Sequence, residues 1–398
     1  MNIRADFHTQ SRYTAGADKT MTLEKIVHFA KMKGIHVLGT GDALHPKWRE
    51  ELKRELKQED DIYVYKGVYF VPSVEIKLRT FVHGVLLLPS LNYFDDAYKW
   101  LSIYGKLDKV GVPTVHIDGD EFLDSLEGYD YFFFPAHVFV PWQSIYGKYN
   151  SLKEFFKDRA NRIKAVELGL SADPKLADKV PELRNRVFLT NSDFHTHWQI
   201  GREFNLIKNV RSISYKEIVR RILENNVVNY TLPPELGKYH LTACRKCGIF
   251  YNYEDAKMLN WKCYHCGEKI YLGVKDRIEM EIVYQKAQEA TSKLKREFVY
   301  HIPLLHILTD ILSYSKNKAE NVYLELLRRT NLNECELLYE VDVDSIKIDE
   351  KVKDAIKRIR SGRYHIVPGG GGRTGRLSLE KVKIKFFKRP FKTLADFW

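Results

Sequence analysis

The sequence lacks the features that mark membrane and secreted proteins. Its longest uninterrupted apolar stretches include residues 84–88 and 132–136, far short of the roughly 18 residues that a membrane-spanning helix needs. Near the N-terminus, Arg4 and Asp6 interrupt the apolar residues, and the apolar segment of a secretory signal does not follow. These absences predict a soluble, cytoplasmic protein whose 398 residues form two or three domains.

Cysteine is also scarce, and four of the five cysteines form two C-x-x-C pairs. Cys244 and Cys247 are separated by 15 residues from Cys263 and Cys266. In a reducing compartment this spacing indicates metal ligation rather than disulfide formation. Four thiolates complete a tetrahedral shell, so the predicted ion is a structural Zn²⁺. The surrounding lobe, which is rich in Lys and Arg, could be purely structural or could also contact a polyanion.

The positive charge is concentrated towards the C-terminus. Residues 351–398 hold 14 basic and 3 acidic side chains, a surplus of +11, whereas the first 350 residues are nearly neutral. Such a surplus favours binding to nucleic acid, because Lys and Arg contacts to phosphates release counterions. A solvated basic tail is the alternative. The aromatic residues that interleave with the basic ones favour nucleic acid, since they can stack on bases.

Alternating apolar and amphipathic segments in residues 1–230 predict an α/β domain with a largely parallel sheet. Thr22 should cap a helix that ends at Gly34. Strands are predicted at residues 3–8, 35–39, 69–76, 81–88, 131–135, 165–168, 187–191 and, near the end of the chain, 382–387. Pro233 and Pro234 mark a boundary. We therefore predict three parts: an α/β domain (1–232), a four-cysteine zinc-binding lobe (233–275) and a mainly helical, basic C-terminal region (276–398).

Seven residues suited to metal binding or acid–base chemistry lie at or beside predicted strand ends: His8, Asp42, Glu75, His83, His137, Asp193 and His195. Active sites of α/β folds collect at this edge of the sheet. Imidazole and carboxylate ligands in this mixture suit Zn²⁺, Mn²⁺ or Fe²⁺, and a carboxylate such as Glu75 can bridge two ions. Taken singly, each residue is better explained as a loop cap or a hydrogen-bonded core group. Together they favour a multinuclear centre that hydrolyses phosphate esters.

The segments DFHTQSRY (6–13), GTGD (39–42), PAH (135–137) and NSDFH (191–195) resemble the motifs of polymerase and histidinol phosphatase (PHP) domains. Within that superfamily the chain is more similar to the endonuclease Q family, on the segments GTGDALHPKW (39–48), PAHVFVPW (135–142), SIYG (144–147), VELGLSAD (166–173), GREFN (201–205) and PGGGGR (368–373). The resemblance covers nearly the whole chain. It implies a distorted β/α barrel of the PHP type and a metal-dependent endonuclease of DNA repair.

For such an enzyme the resemblance implies cleavage of double- or single-stranded DNA 5′ to a deaminated base or an abasic site, leaving a 3′-hydroxyl and a 5′-phosphate. Deoxyuridine and deoxyinosine are the expected bases, and deoxyxanthosine is a further candidate. The damaged nucleotide would be extruded from the duplex, because a damaged pair unstacks at lower cost than a normal one. Such a protein would associate with the nucleoid.

The same resemblance assigns the ligands of two or three divalent ions, which would be Zn²⁺, Mn²⁺ or Mg²⁺. His8, Glu75 and Asp193 would hold the first ion. Glu75, His83 and His137 would hold the second, and Asp42 and His195 would belong to a third. Of these, Asp193, Glu75, His8 and His195 are the expected catalytic residues.

The chain departs from the PHP pattern at Gln10, where a second histidine usually follows the first by two residues. The carbonyl oxygen of Gln10 can still bind a metal ion, but it is a neutral and weaker ligand than imidazole. Gln10 therefore stays among the predicted ligands of the first ion.

DNA contacts are predicted at two places outside the metal cluster. The glycine run at residues 369–372, with Arg363, Arg373 and Arg376 around it, favours contact with the DNA backbone. It lacks the lysine and hydroxyl residues of a nucleotide-binding loop, and a flexible connector is the alternative. Trp142 and Tyr146 could stack on an extruded nucleotide or pack at the rim of the site.

The last residues of the chain, 394–398, resemble a sliding-clamp-binding peptide. Leu394 stands three positions before the aromatic pair Phe397 and Trp398, and Phe391 replaces the usual glutamine. A sliding clamp is therefore a candidate partner. A hydrophobic anchor that packs on the protein itself is the alternative.

Two other functions are alternatives to the endonuclease. A small-molecule phosphatase of the histidinol-phosphate type would share the metal cluster, but it needs neither a basic tail nor a zinc-binding lobe. A catalytically silent DNA-binding protein is the other alternative, and Gln10 is the residue that favours it. Metal content and the salt dependence of DNA binding would discriminate among the three.

Overall fold

Short strands and helices alternate through most of the computed structural model, which describes residues 1–282 and 294–389. The strands are β1 (Ile3–Asp6), β2 (Val37–Gly39), β3 (Lys57–Glu59), β4 (Ile62–Tyr65), β5 (Val68–Val71), β6 (Ser73–Lys77), β7 (His83–Leu87), β8 (Phe132–Pro135), β9 (Ala165–Glu167), β10 (Val187–Leu189), β11 (Phe204–Ile207), β12 (Val227–Thr231), β13 (Ala243–Cys244), β14 (Ile270–Tyr271), β15 (Glu297–Tyr300), β16 (His365–Val367) and β17 (Arg376–Ser378).

The α-helices are α1 (Leu23–Lys33), α2 (Pro46–Glu55), α3 (Leu91–Leu101), α4 (Gly119–Ser125), α5 (Ile145–Lys148), α6 (Leu152–Phe156), α7 (Pro174–Ala177), α8 (Tyr215–Leu223), α9 (Tyr253–Met258), α10 (Val274–Asp276), α11 (Leu304–His306), α12 (Lys316–Thr330) and α13 (Glu350–Arg360). Wider π-helical turns follow α10 and α11 and recur at Glu336–Glu340. Shorter 3-10 turns lie at Arg79–Phe81, Lys157–Arg162, Pro181–Leu183, His197–Gln199, Pro234–Leu236 and Val343–Ser345.

Helix α1 begins and ends where the sequence predicts. The Thr22 side chain accepts a hydrogen bond from the backbone of Lys25, and Gly34 closes the helix with a φ of 80°. A left-handed residue at this position favours glycine, because a Cβ atom would be strained there. The predicted helix from Thr22 to Gly34 is confirmed.

The largest sheet has eight strands in the order β15-β12-β11-β1-β2-β5-β4-β3. Its pairs β1–β2, β2–β5 and β12–β15 are parallel, and the other pairs are antiparallel. The predicted largely parallel sheet is therefore wrong. One reason is a hairpin between β4 and β5, where Lys66 and Gly67 both have a positive φ, as a tight two-residue turn requires.

The predicted strand at residues 69–76 is two strands in two different sheets. Pro72 separates β5 from β6. Strand β6 pairs with β7, and β7 pairs with β8, in a separate antiparallel sheet. Proline lacks the N–H that a central strand position would donate, which explains the break. Strands β9 and β10 form a further parallel pair. The fold is thus mixed α/β, and closure of these sheets into a barrel stays a prediction.

Both faces of the large sheet are covered. In β2, Val37 and Leu38 are buried in two different apolar clusters, because successive side chains point to opposite faces. In β5, Phe70 and Val71 repeat this arrangement. Burial on both faces explains why these strands are continuous apolar runs in the sequence.

The C-terminal region is mainly helical, as predicted, but it also contributes to the large sheet. Strand β15 pairs in parallel with β12, with Tyr230 opposite Val299. Residues 382–387, predicted as a strand, make an isolated bridge from Phe386 to Phe250. The clamp-like peptide at 394–398 lies outside the described residues. Within the described ranges, no helix combines the length and the apolar character needed to cross a membrane.

A buried ion pair joins α1 to the helical region. The Lys33 Nζ lies 2.6 Å from a carboxylate oxygen of Glu334, and both side chains are almost fully buried. Glu334 also accepts hydrogen bonds from the Tyr323 hydroxyl and the Leu304 N–H. Burial by itself would raise the pKa of Glu334, but the Lys33 ammonium, His301 and the hydrogen bond from Tyr323 together outweigh burial and lower this pKa. Glu334 is therefore charged in the folded protein.

Replacing Lys33 with methionine should destabilise the protein strongly, because Glu334 would be left as a buried charge without its cation. The expected loss is about 3–5 kcal/mol in the free energy of unfolding. Urea denaturation followed by tryptophan fluorescence would measure it. Lys99→Met, which removes an exposed ion pair with Asp96, is the control and should leave the midpoint nearly unchanged. Equal shifts in both variants would contradict the assigned role of the buried pair.

Candidate metal centre

Loops after four different strands bring the predicted ligands together. His8 follows β1, Asp42 follows β2, His137 follows β8 and Asp193 follows β10. Backbone hydrogen bonds hold these loops to one another: the Asp193 N–H donates to the His8 carbonyl, and the Ala136 N–H donates to the His83 carbonyl, both at 3.0 Å. Side chains that are far apart in the sequence therefore meet at one edge of the fold.

Three of the predicted ligands have a left-handed backbone. The φ angles are 50° at Asp42, 31° at His137 and 44° at Asp193. Such angles are uncommon for residues other than glycine and cost free energy, so they persist only where the surrounding contacts impose them. Two of these residues, His137 and Asp193, have side chains that belong to the ligand groups of the site.

The first ligand group consists of His8, Glu75 and Asp193. The Nε2 atom of His8 is 3.2 Å from Glu75 Oε2 and 3.6 Å from Asp193 Oδ1. Ligands of a tetrahedral ion with bonds of about 2.0–2.1 Å lie about 3.3–3.4 Å from one another. The spacing of this group therefore fits a small divalent ion.

The second ligand group consists of Glu75, His83 and His137. Here the other carboxylate oxygen of Glu75, Oε1, is 2.5 Å from His83 Nδ1 and 3.3 Å from His137 Nε2. The two oxygens of Glu75 thus face two different groups, which suits a carboxylate that bridges two ions. The structure brings together the residues of the first two predicted ligand sets in this way.

The electrostatics of the first group also suit a cation. Burial lowers the pKa of His8, but the carboxylates of Glu167, Glu75 and Asp193 outweigh it and hold this pKa well above its ordinary value. Burial raises the pKa of Glu75, and His8 and His83 more than reverse this, so the carboxylate stays ionised. A position where neighbouring carboxylates strongly stabilise a proton is one where they would also stabilise a metal ion.

Glu167, at the end of β9, has a role that the sequence analysis did not assign. Its carboxylate oxygens lie 3.0 and 2.9 Å from His8 Nδ1 and accept hydrogen bonds from the His137 backbone N–H and the Asn191 side chain. A carboxylate behind a histidine fixes the ring tautomer, which leaves Nε2 unprotonated for a metal ion. Its place at the end of an apolar strand was the signal that could have revealed it.

Asp42 and His195, the predicted ligands of a third ion, belong to neither of the two ligand groups. Asp42 is fully buried, and its Oδ2 accepts hydrogen bonds from Ser11 and Thr14. Burial raises its pKa to about 6 despite those bonds. His195 is partly exposed, with Nδ1 at 3.1 Å from the Asp193 carbonyl oxygen. A third ion therefore stays a prediction.

The four cysteines of the lobe converge as the spacing predicted. The sulfur atoms of Cys244 and Cys266, and those of Cys247 and Cys263, are 3.5 Å apart. These distances exclude disulfides, and they are near the roughly 3.8 Å expected between thiolates around an ion with Zn–S bonds of about 2.3 Å. The cluster therefore fits a tetrahedral ion of the zinc type.

A cavity of about 270 Å³ lies where the α/β domain, the four-cysteine lobe and the glycine run meet. Its lining comprises Trp142, Lys238, Tyr239, Arg245, Tyr271, Gly371, Gly372 and Arg373. Trp142 is 38% exposed, and its ring makes an edge contact with Tyr239 and a tilted contact with Tyr271. Tyr146, in contrast, is fully buried, stacks on Phe139 and bonds to Glu182. This placement does not suit the predicted stacking of Tyr146 on a nucleotide.

The glycine run is packed against the lobe rather than forming a flexible connector. The amides of Gly369, Gly370 and Gly372 donate to carbonyls of Glu235, Arg373 and Lys238. A Cβ atom at Gly370 would lie 2.5 Å from the Leu241 carbonyl oxygen, so only glycine allows this approach. Arg363, Arg373 and Arg376 are exposed around the run. Their predicted contact with DNA stays a prediction.

The fold and the site define a mixed α/β protein with two adjoining histidine–carboxylate groups able to hold metal ions and a separate four-cysteine cluster. No family model matches the chain. It is 33% identical to the lesion-specific endonuclease Q of Pyrococcus furiosus, with a TM-score of 0.86 over 95% of this chain and 96% of the other. Against endonuclease Q bound to a duplex with an abasic lesion, the TM-score is 0.88, with 33% identity, over 96% of this chain and 97% of the other. The chain belongs to the endonuclease Q family.

An uncharacterised protein of Methanocaldococcus jannaschii is also similar. It is 37% identical over 274 residues, which cover 66% of this chain and 34% of that protein. The chain therefore spans about a third of the length of this relative.

Replacing Glu167 with glutamine should weaken metal binding, because the neutral amide no longer fixes the His8 tautomer. Losing such an outer-shell partner typically costs about 10–100-fold in metal affinity. Competition with a chromophoric chelator would measure this loss.

Glu203→Gln is a matched control for this variant. Burial raises the pKa of Glu203 to about 8, so its side chain is already largely neutral near pH 7. This substitution should leave metal affinity unchanged. If Glu167→Gln bound the metal as tightly as Glu203→Gln does, this result would contradict the orienting role of Glu167.

Proposed function

We propose that this protein is a metal-dependent DNA repair endonuclease. It hydrolyses the phosphodiester 5′ to a deaminated base, or to an abasic site, and leaves a 3′-hydroxyl and a 5′-phosphate. The observation that carries the proposal is the pair of ligand groups joined by Glu75, in a chain that matches endonuclease Q over nearly its whole length. Endonuclease Q bound to a duplex with an abasic lesion supports duplex DNA as the substrate class.

In this proposal the residues of the centre hold and orient the reacting groups. Divalent ions held there supply two things: they make bound water acidic, and they neutralise charge on the phosphoryl oxygens. Glu75 keeps the two ligand groups adjacent through its two oxygens. Glu167 holds the His8 ring by its Nδ1 atom, so that Nε2 faces the first group.

Asp193 and His195 complete the proposed machinery. Asp193 is a ligand of the first group, and its backbone carbonyl accepts from His195 Nδ1 at 3.1 Å. With Nδ1 protonated, neutral His195 presents an unprotonated Nε2, which can take a proton or bind an ion. Its partial exposure leaves the ring accessible to a substrate.

The cavity beside Trp142 is the proposed site for the extruded nucleotide. Three aromatic rings and three basic side chains line it, and Trp142 is five residues beyond the ligand His137. Proteins that extrude a nucleotide commonly hold the base between aromatic side chains. Arg245 and Arg373 would meet the phosphates on either side, since guanidinium groups pair well with them.

Asp193→Asn should abolish cleavage of a duplex with a single deoxyuridine, deoxyinosine or abasic site. Loss of a direct ligand should lower the rate by more than about 100-fold, since even outer-shell losses cost about 10–100-fold. Denaturing gels with Mg²⁺, Mn²⁺ or Zn²⁺ would show the product. Asp96→Asn, on the surface of α3, is the matched control and should cleave normally.

The other outcomes of this assay overturn the proposal. Tight DNA binding without cleavage in any metal would favour a silent DNA-binding protein. Failure to bind DNA at all, together with release of phosphate from a small phosphate ester, would favour a phosphatase of the histidinol-phosphate type.

The four-cysteine lobe is proposed to hold a structural Zn²⁺. Cys263→Ser should lower the zinc content by about one ion per chain, since a structural site needs all four ligands. Zinc released by denaturation would be measured with a chromophoric chelator. Cys335→Ser, a buried cysteine outside the cluster, is the control and should keep its zinc. Equal zinc content in the two variants would refute the proposed site.

A further inference from the structure

Gln10 places its side-chain amide at the centre of the first ligand group. Its Nε2 atom lies 2.7 Å from Glu75 Oε2, 3.2 Å from Asp193 Oδ1 and 3.3 Å from His8 Nε2. The side chain is 1% exposed. The amide group is therefore the fourth corner of the group formed by His8, Glu75 and Asp193.

The other end of the amide meets a hydroxyl that has a single proton to give. Gln10 Oε1 lies 2.9 Å from Thr14 Oγ1, which in turn lies 2.7 Å from Asp42 Oδ2. An ionised carboxylate only accepts hydrogen bonds, so the Thr14 proton goes to Asp42. The Thr14 oxygen then faces Gln10 with a lone pair. An N–H group of Gln10 can donate a hydrogen bond to this lone pair, whereas the carbonyl oxygen of Gln10 cannot.

The amide therefore has two orientations with opposite hydrogen-bonding consequences. When its nitrogen faces the ligand group, Gln10 donates hydrogen bonds to Glu75 and Asp193. Its carbonyl oxygen then faces the lone pair of the Thr14 hydroxyl, and neither of these two oxygens can donate to the other. With the amide turned by 180°, its nitrogen donates to Thr14 and its oxygen faces the group. When His8 is unprotonated at Nε2, as a metal ligand must be, four acceptor atoms then converge, and such an arrangement repels unless a cation lies among them.

We infer that Gln10 binds the first metal ion through its carbonyl oxygen and thereby shifts the metal preference of the first group towards Mn²⁺ or Mg²⁺. This inference rests on the proposed function, because it concerns the ions of that same centre. With Gln10, the first group offers three oxygen atoms and one nitrogen, whereas the second offers two imidazoles and one carboxylate. Oxygen ligands suit Mg²⁺ and Mn²⁺, and imidazole suits Zn²⁺. The centre is then a mixed one, with Zn²⁺ favoured at the second group.

Thr14 acts as a positioning residue in this arrangement. Its hydroxyl accepts from the turned Gln10 amide and donates to Asp42, so it holds the carbonyl oxygen towards the ion. This gives the buried Asp42 carboxylate a role behind the ligands of the first group.

Metal titration of the full-length protein, without DNA, tests this inference. The protein is stripped of its weakly held ions, reloaded with Mn²⁺ and titrated with Zn²⁺, while the signal of free Mn²⁺ is followed by electron paramagnetic resonance. The four-cysteine cluster does not interfere, because thiolates select Zn²⁺ over Mn²⁺. In Gln10→His, Zn²⁺ should displace Mn²⁺ from the first group at concentrations at least about tenfold lower than in the unaltered protein.

Two further variants keep the test decisive. Thr14→Val should lower Mn²⁺ affinity by about tenfold or more, as expected for loss of an outer-shell partner. Thr190→Val is its matched control, because Thr190 is also buried and its hydroxyl bonds to the Phe204 carbonyl instead. Gln10→Glu keeps an oxygen in place and should retain Mn²⁺ without the shift towards Zn²⁺. Circular dichroism would confirm that each variant is folded.

The inference would be overturned if Gln10→His left the preference for Zn²⁺ over Mn²⁺ unchanged. It would also be overturned if Thr14→Val and Thr190→Val bound Mn²⁺ with equal affinity. Loss of Mn²⁺ from Gln10→Glu would overturn it as well. These readings are independent of catalysis. Failure to cleave DNA would therefore contradict the proposed function without altering the metal titration, and the two failures are distinguishable.

Discussion

The convergence of buried carboxylates is the constraint on which the rest of the centre depends. Glu75 and Glu167 are almost fully buried, and Asp193 shares the site with them. Buried anions at such short range are costly unless protons or cations compensate them. A protonated His8 provides this compensation in part, and metal ions would provide it fully. The strained backbone at His137 and Asp193 is maintained because it directs these groups to one point.

The scaffold explains how such a site can be held rigidly. The ligands come from loops after β1, β8 and β10 and from β6 and β7, so no single element can move without disturbing the others. The helical region is not an independent appendage, because β15 extends the large sheet and Lys33 pairs with Glu334 in the interface. These contacts connect the C-terminal region to the domain that carries the metal centre.

The four-cysteine lobe and the glycine run form part of the wall of the cavity beside Trp142. Three of the four glycine N–H groups donate hydrogen bonds to carbonyls of the protein itself. These three groups are therefore not free to bind a phosphate, and the run is better suited to lining the cavity. That wall closes the cavity in which Trp142, Tyr239 and Tyr271 present their rings. In the proposed function, the lobe therefore supports lesion recognition while the carboxylates and histidines perform hydrolysis.

The sequence by itself determined what depends on residue identity and local order. The helix from Thr22 to Gly34, the four-cysteine cluster and the five residues of the first two ligand groups could all be identified from it, because caps, spacing and strand-end positions are local signals. Tertiary structure alone decided the rest. The mixed sheet, the division at Pro72 and the burial of Tyr146 depend on which strands and side chains pack together. The contacts of Glu167 with His8 and of Gln10 with Glu75 join segments distant in sequence, and folding brings those segments together.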